Sequence, residues 1–302
     1  MADMREYLGK ARVLIEALPY IREFSGKTIV VKYGGAAMAG EDRMSSFAED
    51  VVLLQYVGIH PVVVHGGGPQ IDRMLERLSI PSTRKEGLRV TSTDAMEVVE
   101  MVLGGTVNKR IVSLINLFGG KAVGLTGKDG DLIRARKFLP PSPGGDVSGR
   151  VDLGQVGEVV EVRPGVLRAL QEKGYVPVIA PIGVGAGGEA FNINGDTVAA
   201  EVAGALSAEK LILLTDVAGV ADRRGDLIST MTAEETSAAV QDGTVTGGMI
   251  PKVECGLTAL AKGVGKVHIL DGRVPHSVLL EIFTDAGIGT EITPAGKPAE
   301  RP

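Results

Sequence analysis

The sequence has 302 residues, 44% of them hydrophobic, with one cysteine, no tryptophan and a formal net charge of −5. That length and apolar content suffice for one large α/β domain or two lobes, and the acidic balance argues against a nucleic-acid footprint, which needs a clustered basic surface. Cys255 alone excludes an intrachain disulfide and a cysteine-based zinc site. With no apolar signal core after Met1 and no run near the ~20 residues of a membrane helix, the composition fits a reducing cytoplasm.

Residues 3–24 read as an amphipathic helix, because Tyr7, Leu8, Ala11, Leu14, Ile15 and Leu18 recur at helical spacing. Pro19 is expected to end or kink it. Two readings compete for this helix: one packed on its own domain, or an arm that packs on another subunit. Thr28-Ile29-Val30-Val31-Lys32 is a short β-branched run that stops at a lysine and then at Gly34-Gly35. That is the pattern of a buried strand with bare backbone at its carboxyl end. Ligands of open α/β sheets bind at that end, so Lys32 and the two glycines suggest half of a phosphate site.

Met44 to Val57 reads as a helix closed by Gly58. Val62-Val63-Val64 repeats the opening design: a strand, then His65-Gly66-Gly67-Gly68-Pro69-Gln70, then a helix from about Ile71 to Leu78. Such a unit aims backbone amides and a positive helix end at an anion. Two in succession suggest adjacent parallel strands with their loops at one sheet edge.

Helices are expected over Asp94–Leu103, capped by Ser92 or Thr93, and over Val107–Leu117. Ala122–Leu125 is a strand, Gly127–Asp131 a polar turn, and Pro140–Arg150 a surface loop rich in Pro, Gly and Ser. Val159–Val162, a helix Pro164–Lys173 and Val176–Ile182 read as one strand–helix–strand unit. A glycine tract, Gly183–Gly188, leads into Phe191–Asp196 and a helix Thr197–Leu206. Leu211–Leu214 is a central strand, followed by Thr215–Val220. Helices Ala233–Val240, Val253–Lys262 and His276–Phe283 and strands Val267–Leu270 and Gly287–Ile292 complete the chain. The alternation, with no long linker, implies a three-layer αβα sandwich: an α/β fold with a mainly parallel central sheet and two lobes at most.

Two motif matches fail on context. Gly183-x-Gly185-x-x-Gly188 fits a dinucleotide fingerprint, but Phe191–Asn194 intervenes before a helix opens; Gly26-Lys27-Thr28 resembles the tail of a Walker loop, but Ile21 stands where its first glycine is required. A dispersed set does better. Lys32 follows one strand, Gly66–Gly68 follow another, Asp196 opens a helix, and Lys252 precedes a helix late in the chain. Phosphoryl transfer needs cations and amides placed around a group that spreads its negative charge over its oxygens. A carboxylate between two lysines would hold their ammonium groups in place. Taken singly, each residue has a plainer reading: a solvated lysine, or an aspartate that merely caps its helix.

Together, Val31-Lys32-Tyr33-Gly34-Gly35, Val64–Gln70, Gly87-Leu88-Arg89-Val90-Thr91, Asn192-Ile193-Asn194-Gly195-Asp196 and Gly248-Met249-Ile250-Pro251-Lys252-Val253 resemble the acetylglutamate kinase branch of the amino-acid-kinase family. The motifs stand in family order and span nearly the whole chain. The resemblance implies a kinase that moves the γ-phosphoryl of ATP to the side-chain carboxylate of N-acetyl-L-glutamate in arginine biosynthesis. Carried over by motif, Lys32 and Lys252 stabilise the transition state and Asp196 organises them. Gly34, Gly35 and Gly66 hold phosphate with their amides. Gly67, Gly68, Arg89, Asn192 and Asn194 bind the substrate. Thr215, Asp216, Val217, Gly219, Val220, Gly248 and Met249 border ATP, with Mg²⁺ on its phosphates and no protein ligand to the metal. It also implies a substrate lobe over about 25–190 and an ATP lobe over about 191–302.

A carboxylate nucleophile, with a pKa near ~4.3, is already ionised at neutral pH. No general base is needed, so His65 is read as a packing or hydrogen-bonding residue and Cys255 as a small buried hydrophobe. Arginine-inhibited members of the family share the segment Ala17–Ile21 and a tail like His276–Thr290. By that resemblance Tyr20, Lys210, His268, Glu281 and Gly287 line an arginine site, and the first helix joins dimers into a hexamer. The plainer reading of His268 and Glu281 is ordinary surface polarity. Competing readings are a kinase of glutamate, aspartate or UMP on the same fold, a non-catalytic arginine sensor, and a dinucleotide oxidoreductase. Both lysines and Asp196 argue against the sensor.

Overall fold

The computed structural model describes residues 4–38, 40–85, 88–140, 152–284 and 287–296. Its elements in chain order are α1 (Met4–Phe24), β1 (Thr28–Tyr33), α2 (Glu41–Tyr56), β2 (His60–His65), α3 (Gly68–Arg77), β3 (Arg84–Lys85), β4 (Leu88–Arg89), α4 (Thr93–Glu100), α5 (Asn108–Leu117), β5 (Ala122–Thr126), β6 (Ile133–Lys137), β7 (Gly157–Val162), α6 (Gly165–Glu172), β8 (Val176–Ala180), β9 (Ile182–Val184), β10 (Ala190–Asn192), α7 (Gly195–Ala205), β11 (Lys210–Thr215), β12 (Thr230–Thr232), α8 (Ala233–Gln241), α9 (Ile250–Ala261), β13 (Lys266–Asp271), α10 (Ser277–Ile282) and β14 (Thr290–Thr293). Residues 141–151, most of the expected Pro140–Arg150 loop, and Gly87 of the Gly87–Thr91 motif lie outside the described residues.

The central sheet has eight strands in the order β12-β14-β13-β11-β1-β2-β8-β5. Every neighbouring pair is parallel except β13–β14. From β1 the chain adds β2, then β5 at the far edge and β8 between them, and then returns to the other side of β1 as β11. The carboxyl ends of β1, β2 and β11 therefore meet at a topological switch point, where ligands of open α/β sheets bind.

Side-chain alternation along the strands builds two cores. Ile29, Val31 and Tyr33 of β1 face a core shared with α2, α4 and α5, joined by Val63, Ile212 and Leu270. Val30, Val62, Val64, Leu211, Leu213 and Ile269 face the opposite core, shared with α6, α7, α8 and α9. With a period of two, Lys32 shares the face of Val30 and points toward α7. Lys210 and His268, in register with Ile212 and Leu270, share the other face. The three-layer sandwich is thus as expected.

Several boundaries differ from the sequence reading for identifiable reasons. The helix expected over Asp94–Leu103 and the next over Val107–Leu117 form one continuous rod, because Met101–Val107 is π-helical and carries Gly104-Gly105 without a break. Ser92, not Thr93, caps α4: its hydroxyl accepts from Ala95 N at 3.2 Å. Val159–Val162 and Val176–Ile182 do not form one strand–helix–strand unit within a single sheet. Pro181, which has no N–H for a ladder, divides the latter into β8 in the central sheet and β9 in a second, four-stranded sheet ordered β10-β9-β6-β7. That small sheet escaped the sequence reading, since Ile133–Lys137 alternates with basic residues and β9 and β10 have three residues each. Pro19 does not end α1, which runs on to Phe24. The apolar stripe of α1 is not packed on its own domain: Leu14 is 72% and Ile15 68% exposed, while Tyr20 and Phe24 near its end reach the core. Among the described residues no helix is long and apolar enough to cross a membrane.

Candidate active site

Lys32 is the fifth residue of β1, and strand alternation aims it at the first turn of α7. Asp196 waits there, held by its local sequence. Asn194 is the N-cap of α7, and its Oδ1 accepts from Asp196 N at 2.7 Å and Thr197 N at 3.4 Å. The capping role thus falls to Asn194, which frees the Asp196 carboxylate for ion pairing. Lys252 arrives from α9. It lies in the first turn of that helix rather than before it, since α9 starts at Ile250 with Pro251 near its N-terminus.

The three side chains meet. Lys252 Nζ donates to Asp196 Oδ2 at 3.0 Å, and Lys32 Nζ lies 2.8 Å from Oδ1, off the hydrogen-bonding direction. All three are largely buried, with side-chain exposures of 12% for Lys32, 11% for Asp196 and 19% for Lys252. Burial alone would raise the Asp196 pKa, but the two ammonium groups more than reverse it and hold the carboxyl below its ordinary range. Two cations against one anion leave one net positive charge facing the clefts beside it, the balance an anionic group in transfer requires.

The two glycine loops converge beside Lys32. Gly66 N donates to Tyr33 O at 2.8 Å, which stitches the loop after β2 to the end of β1. A Cβ on Gly34 would sit 3.3 Å from both Gly66 N and Lys32 Nζ, so a bare Cα here keeps space open at the ammonium. Gly35 begins the turn that follows, at φ 60°, where glycine is at no steric disadvantage.

Two clefts flank the lysine pair. One, of about 200 Å³, is lined by Gly66, Gly67, Gly68, Arg89, Asn192 and Asn194, all sequence-predicted, together with Ile71, Arg84, Leu103, Val156, Pro181, Ile193 and Gly195. Arg89 is 6% exposed. Its Nη1 pairs with Asp72 Oδ1 at 2.5 Å and donates to Ser82 Oγ at 2.5 Å, while Nη2 reaches Gly68 O at 3.3 Å. Asp72 also binds Arg84 at 3.0 Å. Burial opposes ionisation of Asp72, but the two arginines hold its carboxyl below the ordinary range. Asn192 Nδ2 donates to Thr91 Oγ1 at 3.4 Å.

The other cleft, of about 580 Å³, is lined by Thr215, Asp216, Val217, Gly219, Val220, Gly248 and Met249, with Lys252 also on its wall. That size suits a nucleotide better than the first cleft does. A Cβ on Gly219 would meet Thr290 Oγ1 at 2.5 Å, so the loop after β11 packs tightly under the cleft.

The second predicted cluster also forms. Lys210 Nζ lies 3.2 Å from His268 Nε2, and His268 Nδ1 donates to Glu281 Oε1 at 2.8 Å. These groups are not surface polarity: Lys210, His268 and Glu281 are 6%, 1% and 7% exposed. Burial lowers the pKa of Lys210 and of His268, each helped by a cationic neighbour, Lys266 and Lys210 respectively. Tyr20 packs on the same side of the sheet, Lys210 lies 4.8 Å from the Phe24 ring centre, and Ile288 N, next to Gly287, donates to Glu281 Oε2 at 2.8 Å. Sequence reasoning missed Asp72, Ser82, Arg84, Leu103 and Val156. Arg84 stands in a basic pair just before the Gly87–Thr91 motif and could have been flagged; nothing in the spacing of the others pointed to the site. His65 is fully buried as expected, whereas Cys255 is only partly buried against the core, its thiol pushed up to about 12 by desolvation.

Residues 27–271 match the amino acid kinase family, and the chain belongs to that family. At finer grain it is 59% identical to an acetylglutamate kinase of Syntrophobacter fumaroxidans, over 94% of this chain and 96% of that one. It is 58% identical to an acetylglutamate kinase of Geobacter sp. strain M21, over 96% and 99%. Among solved structures, the N-acetylglutamate synthase of Neisseria gonorrhoeae in complex with coenzyme A and N-acetyl-glutamate is similar with a TM-score of 0.82 and 29% identity. That similarity covers 96% of this chain but 64% of the synthase. Carbamate kinase of Giardia lamblia bound to AMP-PNP shares the fold, with a TM-score of 0.64, 17% identity and coverage of 89% and 99%.

Because Asp196 ionises below its ordinary value, its stabilising contribution is full above about pH 4 and is lost as pH falls through its lower folded-state value. The stability gap between the wild type and Asp196→Asn in urea unfolding should be widest near pH 7. It should shrink below pH 4 by up to about 1.4 kcal/mol per pH unit. An equal gap at pH 7 and pH 3 would contradict the ion-pair arrangement.

Proposed function

We propose that the protein transfers the γ-phosphoryl group of ATP to the side-chain carboxylate of N-acetyl-L-glutamate, forming N-acetyl-L-glutamyl 5-phosphate in the second step of arginine biosynthesis. The observation that carries this reading is the Lys32–Asp196–Lys252 cluster between two clefts, in a chain 58–59% identical over nearly its full length to acetylglutamate kinases. Glutamate, aspartate and UMP remain as comparison substrates on the same fold.

The substrate carboxylate is already an anion at neutral pH, so its oxygen attacks the γ-phosphorus directly. The bond from that phosphorus to the bridging oxygen breaks, and ADP leaves with the electron pair. Lys32 and Lys252 offset the charge on the transferring group, and Asp196 keeps both ammonium groups in position before it arrives. Amides of Gly34 and Gly35 supply further donors, whereas the Gly66 amide, read from the sequence as a third, is already taken by Tyr33 O at 2.8 Å. In the smaller cleft Arg89 pairs with the substrate α-carboxylate. Asp72 and Ser82 engage Nη1 and Gly68 one hydrogen of Nη2, so among the described residues Nε–H and the second Nη2–H are left to grip it side-on. Gly67 and Gly68 face the substrate, and Asn192 and Asn194 offer side-chain amides to its acetamido and carboxylate groups. Thr215 to Val220, with Gly248 and Met249, border the nucleotide. Mg²⁺ bound on the ATP phosphates would supply further positive charge. The lining of the smaller cleft falls within 66–195 and that of the larger within 215–252. We assign a substrate lobe over about 25–190 and an ATP lobe over about 191–302, with Asn192–Gly195 at their junction closing the smaller cleft, and we place the enzyme in the cytoplasm.

Two buried clusters on one fold favour a second, regulatory reading. Lys210, His268 and Glu281, with Tyr20 and Gly287 nearby, would bind L-arginine as an inhibitor, and the exposed stripe of α1 would join copies of the chain into a dimer or hexamer. Removing residues 1–18, which carry Leu8, Leu14 and Ile15 but not Tyr20, should lower the mass in solution and raise the half-inhibitory arginine concentration at least tenfold. Unchanged mass and unchanged inhibition would contradict both roles.

The activity itself is tested by trapping the acyl phosphate as a hydroxamate, with N-acetylglutamate, glutamate, aspartate and UMP in parallel, each with ATP and Mg²⁺. Product is expected with N-acetylglutamate, and its absence refutes the assignment. Lys32→Ala should lower turnover by about 10²–10³; a loss under tenfold would demote Lys32 to a bystander.

A further inference from the structure

The glycine loop after β2 is braced from below by a buried polar chain that the reaction chemistry does not itself require. His65 is fully buried at the end of β2. Its Nδ1 lies 2.9 Å from Gly66 O, and its Nε2 lies 3.1 Å from Asn108 Nδ2. A carbonyl only accepts and an amide nitrogen only donates, so the ring carries its proton on Nδ1 and leaves Nε2 bare. Asn108 is 1% exposed and is itself fixed: Nδ2 also donates to Val178 O at 2.8 Å, and Oδ1 accepts from Lys109 Nζ at 3.2 Å. Its Oδ1 fills the place where a Cβ on Gly124 would lie, at 1.8 Å. Burial takes His65 down to about 4, so the imidazole is neutral at physiological pH.

The same helix touches the loop a second time. Leu103 Cδ2 lies 2.5 Å from where a Cβ on Gly67 would be. Leu103 and Asn108 are five residues apart, which an α-helix would splay by about 140°. The π-helical segment Met101–Val107, with its i→i+5 bonding, brings both toward the glycine loop.

We propose that His65, held as its Nδ1–H tautomer by Asn108, is a positioning residue for phosphoryl transfer: it pins the Gly66 carbonyl and, with Leu103 against Gly67, aims the Gly67 and Gly68 amides at the transferring group. The proposal rests on the phosphoryl-transfer reading of this site. It differs from a purely structural role in a definite way, because only the Nδ1 donor reaches the loop, whereas Nε2 serves the surrounding fold.

Two substitutions separate the nitrogens. His65→Asn keeps a donor near the Nδ1 position, and His65→Gln keeps a polar atom near the Nε2 position. His65→Asn should retain kcat within about threefold of wild type, while His65→Gln should lose at least tenfold in kcat, with KM for N-acetylglutamate changed less than threefold. Equal kcat in the two variants, or losses that simply track the fall in Tm, would overturn the proposal. Lys32→Ala run alongside separates the two claims: a Lys32→Ala enzyme that keeps full turnover defeats the phosphoryl-transfer reading, whereas a large Lys32 effect with equal His65 variants defeats only the role of His65. Should neither His65 variant fold, ¹⁵N shifts of the imidazole in the wild-type protein decide. Protonated Nδ1 and bare Nε2 from pH 5.5 to 8 are expected, and the opposite tautomer overturns the proposal.

Discussion

One carboxylate holding two ammonium groups is the interaction on which the rest of the site depends. Asp196 is almost wholly enclosed, and an isolated buried anion would be costly. Lys32 at 2.8 Å and Lys252 at 3.0 Å remove that cost. In return the aspartate keeps two mutually repelling cations close together when no phosphate is present. The cluster reaches across the chain, from the first strand to a helix some two hundred residues later, so it forms only once β1, α7 and α9 are all in place. The site is therefore a product of the tertiary fold rather than of any local motif.

The sheet turns this constraint into geometry. Alternation along β1 sends Val31 and Tyr33 into one core and Val30 and Lys32 toward the other. The β11 register places Leu213 beside Lys32 and leads directly into Thr215 at the larger cleft. The same period puts Lys210 and His268 on the opposite face. A single sheet thus carries the lysine cluster on one side and the Lys210–His268–Glu281 cluster on the other. The strands between them are packed with fully buried Val, Ile and Leu side chains, and such close-packed layers transmit displacement rather than absorb it.

Much of this was legible in the sequence, because the informative residues sit at strand ends. β-branched runs stopping at Lys32 and His65 marked two parallel strands and their loops; Gly66–Gly68 after the second line the smaller cleft, and the larger is lined from the Thr215–Val220 and Gly248–Lys252 segments. What stayed hidden depended on contacts between distant segments. Asp72 on α3 and Ser82 ahead of β3 touch Arg89 only after the hairpin folds back. Gly104-Gly105 looked like a break between two helices, yet a π-helical turn carries the rod through them. The small second sheet uses strands too short to show a period. Asn194 illustrates a subtler limit: its place before a helix is readable as a cap, but which of Asn194 and Asp196 caps and which pairs with lysine is settled by where Lys32 and Lys252 arrive.

The measurement that bears most directly on the lysine cluster is a double-mutant cycle on kcat for N-acetylglutamate phosphorylation, using Lys32→Ala, Lys252→Ala and the double variant. Groups that act on one charge as a unit give strongly non-additive losses. The double variant should therefore fall short of the product of the two single losses by at least tenfold. Losses that multiply to within about threefold would show two independent lysines and contradict a shared, aspartate-centred clamp.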